Sequence, residues 1–377
     1  MAVIGIPRET ASDESRVALT PDMVARLTKS GYELIVERGA GESAYFPDAE
    51  YEEQGAKLVD RDEALGADLV ATVQPPEDEF DKFRSGAVVI GFMQPLDRPA
   101  MASALADRGV TALSMEMVPR ITRAQKMDAL SAMSTVAGYK AVLVAADLLP
   151  KFYPLLTTAA GTIRPAQVLV LGAGVAGLQA LATARRLGAV TSAYDIRPAA
   201  REQVESVGAK FVELELDTSD AEDKGGYAKA LAKDDQARQV ELLARHVAKA
   251  DVVISTALIP GRAAPVLITE SGVEGMSPGS VILDLAAANG GNCAVTKADE
   301  RVVHGGVQIF GPTNLSATMP LHASQMYART LGALVTEFTE EGAFVPNFDD
   351  EIIQGACLAH GGDVVHERVR GLLTPSA

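Results

Sequence analysis

Hydrophobic residues along the chain alternate between two rhythms. Short apolar runs rich in valine and isoleucine are separated by stretches with apolar residues at every third or fourth position. The first run, at 3–6, reads as a strand ended by Pro7. Thr20-Pro21-Asp22 then opens a helix, with a hydroxyl N-cap, proline at the first helical position and an acid in the first turn. Gly31 stops it. Strands follow at 34–36, 68–73, 87–92 and 110–115, with a helical stretch near 97–107. Residues 123–149 lack proline and keep helical spacing, which predicts one long helix leading into a second unit. That unit opens with Gln167-Val-Leu-Val-Leu171 and has further strands near 190–194, 210–213, 251–255, 280–285 and 307–310. A proline-free run at 321–339 predicts a helix that returns the chain to the first unit, and strands around Gly361-Gly362 read as a hairpin. Strands alternating with helices at this spacing predict an α/β protein with parallel sheets. The two units are 1–128 plus 322–377, and 129–321.

Composition narrows the classes. A chain of 377 residues that is 47% hydrophobic suits two domains with sizeable cores. A formal charge of −16 argues against nucleic acid, which needs clustered cations, and gives no attraction to anionic membranes. Cys293 and Cys357 lie far apart, so no disulfide framework is expected. The five histidines show no metal-ligand spacing, and no metal is expected. The N-terminal residues lack the regions of a signal peptide. The uncharged window at 165–184 has about the ~20 residues a membrane helix needs, but three glycines at its middle favour strand, turn and helix. We expect a soluble, cytoplasmic chain.

Those glycines carry the first chemical signal. Gly172-Ala173-Gly174-Val175-Ala-Gly177 follows a strand and opens an amphipathic helix at 175–187. In a dinucleotide site the first glycine makes the tight turn, the second admits the pyrophosphate and the third lets helix and strand pack closely. The helix N-terminus adds unsatisfied N–H groups and partial positive charge. Asp195 ends the next strand near the ~20-residue offset expected of a carboxylate on the ribose hydroxyls. An acid there favours NAD over NADP, although Arg197 two residues on blurs the preference. A glycine turn that binds nothing is the bland alternative, and the full context disfavours it.

The N-terminal Gly5-Ile-Pro-Arg-Glu9 and Ser15-Arg-Val-Ala-Leu-Thr-Pro21 resemble the shared start of alanine dehydrogenases and of transhydrogenase NAD(H)-binding domains. So do Val136-Ala-Gly138, Ala257-Leu-Ile-Pro-Gly261 and Met276-Ser-Pro-Gly-Ser-Val281. The resemblance runs over nearly the whole chain and implies two Rossmann-like domains, joined by long helices, with a cleft between them. Alanine dehydrogenase chemistry needs acid–base groups. Where that family has lysine, histidine and aspartate, this chain has Gln74, Gln94 and Ala288, while Arg16 keeps the place of the substrate-carboxylate arginine. Hydride transfer between two nicotinamides needs positioning instead.

The second family also supplies the remaining matches. Arg120-Ile121-Thr122-Arg-Ala-Gln125-Lys-Met-Asp128 is similar to its loop facing the nicotinamide. The resemblance implies that Arg120, Gln125, Asp128 and Ser131 serve the reacting end of the nucleotide, with Ile121 and Thr122 beside them. It also implies nucleotide contacts from Ile196, Arg197, Gln239, Leu258 and Asn314. Gly225-Gly226-Tyr227 matches a mobile loop whose tyrosine closes over NAD(H), within an acidic, glycine-containing stretch at 214–228. Each match has a plainer reading: Arg120 and Asp128 pairing across a helix start, or Tyr227 stapling a surface helix. Their order along one chain favours the functional one. The chain is thus identified as the NAD(H)-binding component of proton-translocating transhydrogenases. This implies an NADP(H)-binding domain and a proton-conducting membrane subunit as partners, attachment to the membrane through them, and a homodimer. A non-catalytic NAD sensor on the same scaffold is the alternative, and it has no need of Arg120, Gln125 and Asp128.

Overall fold

The computed structural model describes residues 1–216, 233–259 and 261–373. The chain divides into two compact units, Met1–Met133 with Ser316–Ala377, and Ser134–Leu315. The α/β expectation holds for both.

In the first unit, eight described strands form one sheet in the order Asp363–Val364, Cys357–His360, Thr111–Ser114, Val88–Gly91, Leu69–Ala71, Val3–Ile6, Glu33–Glu37, Lys57–Val59. The six strands from Lys57–Val59 to Thr111–Ser114 pair in parallel, and only the C-terminal hairpin at Gly361-Gly362 is antiparallel. The interior strands are apolar throughout because both faces are covered. Ile35, Val70, Val89 and Ala112 are buried with Leu65, Phe83 and Leu105 from the connections.

In the second unit the order is Lys210–Phe211, Val190–Tyr194, Gln167–Leu171, Val252–Ser255, Val281–Asp284, Val307–Phe310, Arg301–His304. All neighbours are parallel except the last pair. The chain builds outward from Gln167–Leu171 on one side, then returns to its other side at Val252–Ser255. That reversal leaves a crevice at the carboxyl end of Gln167–Leu171, where open α/β sheets bind ligands. The first unit has the same reversal at Val3–Ile6, but no tight glycine turn follows. Glu37, at the end of its neighbouring strand, accepts from Arg8 N at 2.8 Å and pairs with Arg61 at 2.8 Å.

Several expectations need correction. The helix expected at 123–149 begins at Ala129, after a 3-10 segment Thr122–Met127, because Asp128 caps it: its Oδ1 accepts from Ser131 N at 2.8 Å. Thr20 takes the N-cap position but makes no capping bond, since its hydroxyl donates to Asp22 instead. The return helix is Pro320–Glu337 and lies wholly in the first unit. Among the described residues only Ala129–Leu148 is long and apolar enough to cross a membrane. The uncharged window at 165–184 is the strand, turn and helix expected.

Candidate nucleotide-binding site

The glycine turn does what each of its glycines was expected to allow. Gly172 has φ +97°, and a β-carbon there would meet Thr256 Oγ1 at 2.7 Å. At Gly177 a β-carbon would stand 1.9 Å from the Gly172 carbonyl oxygen, so only glycine lets the helix Val175–Arg186 start this close to the strand. A β-carbon on Gly174 would meet nothing within 4 Å. The space beside Gly174 is therefore open to an approaching ligand. The helix carries no acid in its first turn and no side-chain cap, so its first N–H groups are available to an anion. Gly138, in the Val136-Ala-Gly138 match, brings the long helix against this turn: a β-carbon there would lie 2.2 Å from Ala176 O.

Around the turn, the second unit assembles several of the expected contacts. Asp195 is buried, and its Oδ2 accepts from Ala173 N at 2.7 Å. Arg197 binds the same carboxylate through its backbone N at 2.8 Å, Nε at 2.9 Å and Nη2 at 2.8 Å. Ala173 is buried, Ile196 is half-buried, and Val175 and Leu258 are exposed. Asn314 is half-buried in the turn after Val307–Phe310. Gln239 is buried and donates from Nε2 to Tyr194 Oη at 2.8 Å. A cavity of about 210 Å³ beside Asp195 is lined by Tyr194, Ile196, Pro198, Arg201, Phe211 and Leu214 among others. Burial pushes the Tyr194 hydroxyl up, so it stays neutral. Gly225, Gly226 and Tyr227 lie outside the described residues.

Sequence reasoning missed the groups that shape this site without an obvious motif. Thr256 donates from Oγ1 to Gly172 O at 2.9 Å and ties the turn to the end of Val252–Ser255. Asn292, fully buried, holds the Leu258 loop through Ala257 N at 3.1 Å and Ala257 O at 2.9 Å. Asp284 in turn accepts from Asn292 N, Cys293 N and Thr296 Oγ1 at 2.7, 3.0 and 2.8 Å. Asn292 directly follows the pair Gly290-Gly291, both at positive φ, and that pair is the signal that was available.

In the first unit, the Arg120–Ser131 segment has a defined support. Asp128 accepts from Ser131 Oγ at 2.6 Å as well as from Ser131 N, which makes these two a capping pair. Arg120, Thr122 and Gln125 are exposed, and Ile121 is half-buried. Buried Ala124 and Met127 anchor the 3-10 turn from below. Arg123 grips Asp350 with bonds of 2.6 and 2.7 Å, and Lys126 reaches Glu337 at 2.6 Å. Those bonds hold the Asp350 and Glu337 carboxyls below the usual range, through Arg123 and Lys126 respectively.

The same unit contains the positions where alanine dehydrogenases have their acid–base groups. Arg16 is buried against Glu14, with Nε donating to Oε1 at 2.7 Å. Gln74 Nε2 donates to Glu14 Oε2 at 2.9 Å. Burial pushes the Glu14 carboxyl up, but its bonds to Arg16 outweigh that and hold it below the usual range. Glu9 accepts from Val73 N at 2.6 Å and Gln74 N at 2.9 Å, yet burial drives its carboxyl up to about 8. A cavity of about 270 Å³ is lined by Gln74, Gln94, Phe92, Met93 and Arg98 among others. Gln94 sits at φ +47°, and its backbone N–H and that of Met93 both donate to Glu116. The side chains at 74 and 94 are amides, which neither give nor take a proton in the physiological range.

The wider comparisons agree with this chemistry. The alanine dehydrogenase/PNT N-terminal domain matches residues 5–137, and the C-terminal domain of that family matches 141–367. The chain is 42% identical to the first portion of the split NAD(P) transhydrogenase alpha subunit of Rhodospirillum rubrum, over 98% of this chain and 99% of that one. It superposes on the crystal structure of transhydrogenase from Sinorhizobium meliloti with a TM-score of 0.88 at 43% identity, covering 96% of this chain and 100% of that chain. An L-alanine dehydrogenase structure is more distant, with a TM-score of 0.81 at 25% identity, covering 98% of each. The chain belongs to the alanine dehydrogenase/PNT family, within the group of NAD(P) transhydrogenase alpha subunits.

Proposed function

We propose that this chain is the NAD(H)-binding component of a proton-translocating transhydrogenase, presenting NADH for direct hydride transfer to NADP+ on a partner domain. The observation that carries this reading is the glycine turn at the sheet's reversal point. It has open space at Gly174, a bare helix N-terminus and Asp195 at the end of the next strand. These features fit a pyrophosphate and an adenosine ribose. In the reading, Gly172, Ala173, Gly174, Val175 and Gly177 receive the pyrophosphate. Asp195, Ile196, Arg197, Gln239 and Leu258 receive the adenosine half. Arg120, Gln125, Asp128 and Ser131 serve the nicotinamide end, with Ile121 and Thr122 beside them, and Gly226 and Tyr227 close over the nucleotide. The bound nucleotide supplies the hydride, and the chain's residues bind, orient and exclude water.

Gln74 and Gln94 support hydride exchange between nucleotides over amino-acid oxidation, because the latter moves protons as well. The Rhodospirillum rubrum relative is by its name only a portion of an alpha subunit, which supports dependence on partners. We place an NADP(H)-binding domain and a proton-conducting membrane subunit in that role, with this chain as a homodimer on the cytoplasmic face. The test uses NADH deuterated at the transferring C4 position, the purified chain and a purified NADP(H)-binding transhydrogenase component. Deuterium should appear in NADPH. Label lost to water, or no transfer at saturating NADH, would refute the reading.

A further inference from the structure

Asp195 already has all the hydrogen-bond donors it can take. A carboxylate offers about four acceptor positions, and each Asp195 oxygen accepts two bonds: Oδ1 from Arg197 N and Nε, Oδ2 from Ala173 N and Arg197 Nη2. Two of the four donors are backbone groups fixed by the glycine turn and the strand end. The other two belong to one guanidinium, whose side chain remains 19% exposed. Ribose hydroxyls can reach this carboxylate only by taking the two positions that the guanidinium holds.

We infer that Arg197 is a built-in competitor for the ribose-binding carboxylate and through it sets both NADH affinity and discrimination against NADPH. The inference rests on reading this unit as an NAD(H) site. Ribose binding exchanges a bidentate, charge-assisted pair for bonds from two neutral hydroxyls, so part of the binding energy goes into breaking the pair. The displaced guanidinium stays tethered two residues from Asp195, beside the edge of the ribose. A 2′-phosphate arriving there is repelled by the carboxylate and attracted by the cation. The two side chains therefore oppose each other in cofactor choice, and the observed preference is their difference.

Removing the guanidinium leaves Asp195 with its two backbone bonds and two vacant acceptor positions facing the ribose. The full chain would be titrated with NADH and NADPH by calorimetry at two salt concentrations. Arg197→Met should bind NADH several-fold more tightly and NADPH more weakly. Asp195→Asn should do the reverse, losing NADH affinity while the released arginine retains NADPH, with a salt dependence that the Arg197→Met variant lacks. Arg197→Lys keeps the charge but not the bidentate geometry, and should tighten NADH while leaving NADPH binding near that of the wild type. If circular dichroism shows Arg197→Met misfolded, the lysine variant decides alone. Wild-type chain that binds no NADH would refute the site itself. Wild-type chain that binds NADH, with Arg197 variants that bind it equally or more weakly, would overturn the competition and make Arg197 an ordinary nucleotide contact.

Discussion

The carbonyl oxygen of Gly172 lies 1.9 Å from the place where a β-carbon on Gly177 would stand. This single approach sets the distance between the strand Gln167–Leu171 and the helix that follows it. Gly174, between the two, faces open space. The three glycines thus divide between folding and binding, and substitution separates the two roles. Gly177→Ala should destabilise the second unit by about 1–3 kcal/mol, the usual cost of overpacking, and lower the thermal midpoint. Gly174→Ala should leave the midpoint unchanged and weaken NADH binding, because its methyl group enters the space the pyrophosphate needs. Calorimetric melting and NADH titration on both variants check this. A Gly174→Ala chain that binds NADH normally would show that the phosphates lie elsewhere.

Glu9 supplies a pH signature. Its carboxyl is raised in the folded chain to about 8 from an ordinary value of 4.5, so the folded chain holds a proton that the unfolded chain has released. An acid shifted upward contributes no penalty below its unfolded value. Between about 4.5 and 8 stability falls as pH rises, and above 8 the loss is complete. A single such group gives a slope of at most about 1.4 kcal/mol per pH unit. Glu9→Gln should therefore reduce the downward slope of unfolding free energy across the neutral range, whatever its effect on absolute stability. Parallel denaturant titrations of the two chains that keep the same slope would contradict the assignment.

The division between what could be read and what could not follows the range of the interactions. Gly172, Gly174, Gly177 and Asp195 are legible in the sequence because a tight turn beside a phosphate admits few residue types at fixed spacing. The core strands are legible because they are buried on both faces. Arg123 and Lys126 are not, since their partners Asp350 and Glu337 lie 227 and 211 residues away. Nor is the start of the long helix: residues 123–127 keep apolar spacing, and only the Asp128–Ser131 bonds show that the helix starts after them. The edge strands Lys57–Val59 and Arg301–His304 leave a weak pattern because they are short and partly exposed, although Gly305-Gly306, at φ +59° and +81°, marks the second as a hairpin. From sequence, Arg197 only blurs the cofactor preference. Its bidentate hold on Asp195 requires the geometry.

The first unit should support no amino-acid oxidation. Arg16 matches the arginine that would bind a substrate carboxylate, but Glu14 already occupies its guanidinium, and Gln74 closes the cluster. NAD reduction with L-alanine should stay at the buffer rate. Installing Lys at 74 and His at 94 should not restore it while Glu14 remains. Activity in that double variant would mean that Glu14 yields Arg16 readily to a substrate.

Gln125 should matter for hydride transfer more than for NADH binding. Its side chain is exposed on the turn Thr122–Met127, while the residues on either side are fixed: Ala124 and Met127 by burial, Arg123 and Lys126 by ion pairs. The backbone therefore holds Gln125 in place while its amide stays available to a ligand. NADH affinity, in the proposed reading, comes from the glycine turn, the helix N-terminus and Asp195, none of which belongs to this turn. Direct transfer is demanding, because the reacting carbons must approach to roughly 3–3.5 Å with aligned orbitals, and a misplacement of about 1 Å costs on the order of 100-fold. Gln125→Asn keeps the amide and shortens its reach by one methylene. Single-turnover transfer to an NADP analogue on the partner domain should fall by roughly that factor, with the NADH dissociation constant nearly unchanged. Glu337→Gln provides the control: it removes the anchor of Lys126 and one of those of Arg123 without touching the amide. Exposed ion pairs of this kind contribute about 1 kcal/mol or less to stability, so that variant should fold normally and lose transfer rate by a smaller factor. If Gln125→Asn instead weakens NADH binding and transfers normally at saturation, the amide belongs to nucleotide affinity. If it changes neither, Gln125 has no part in the reaction.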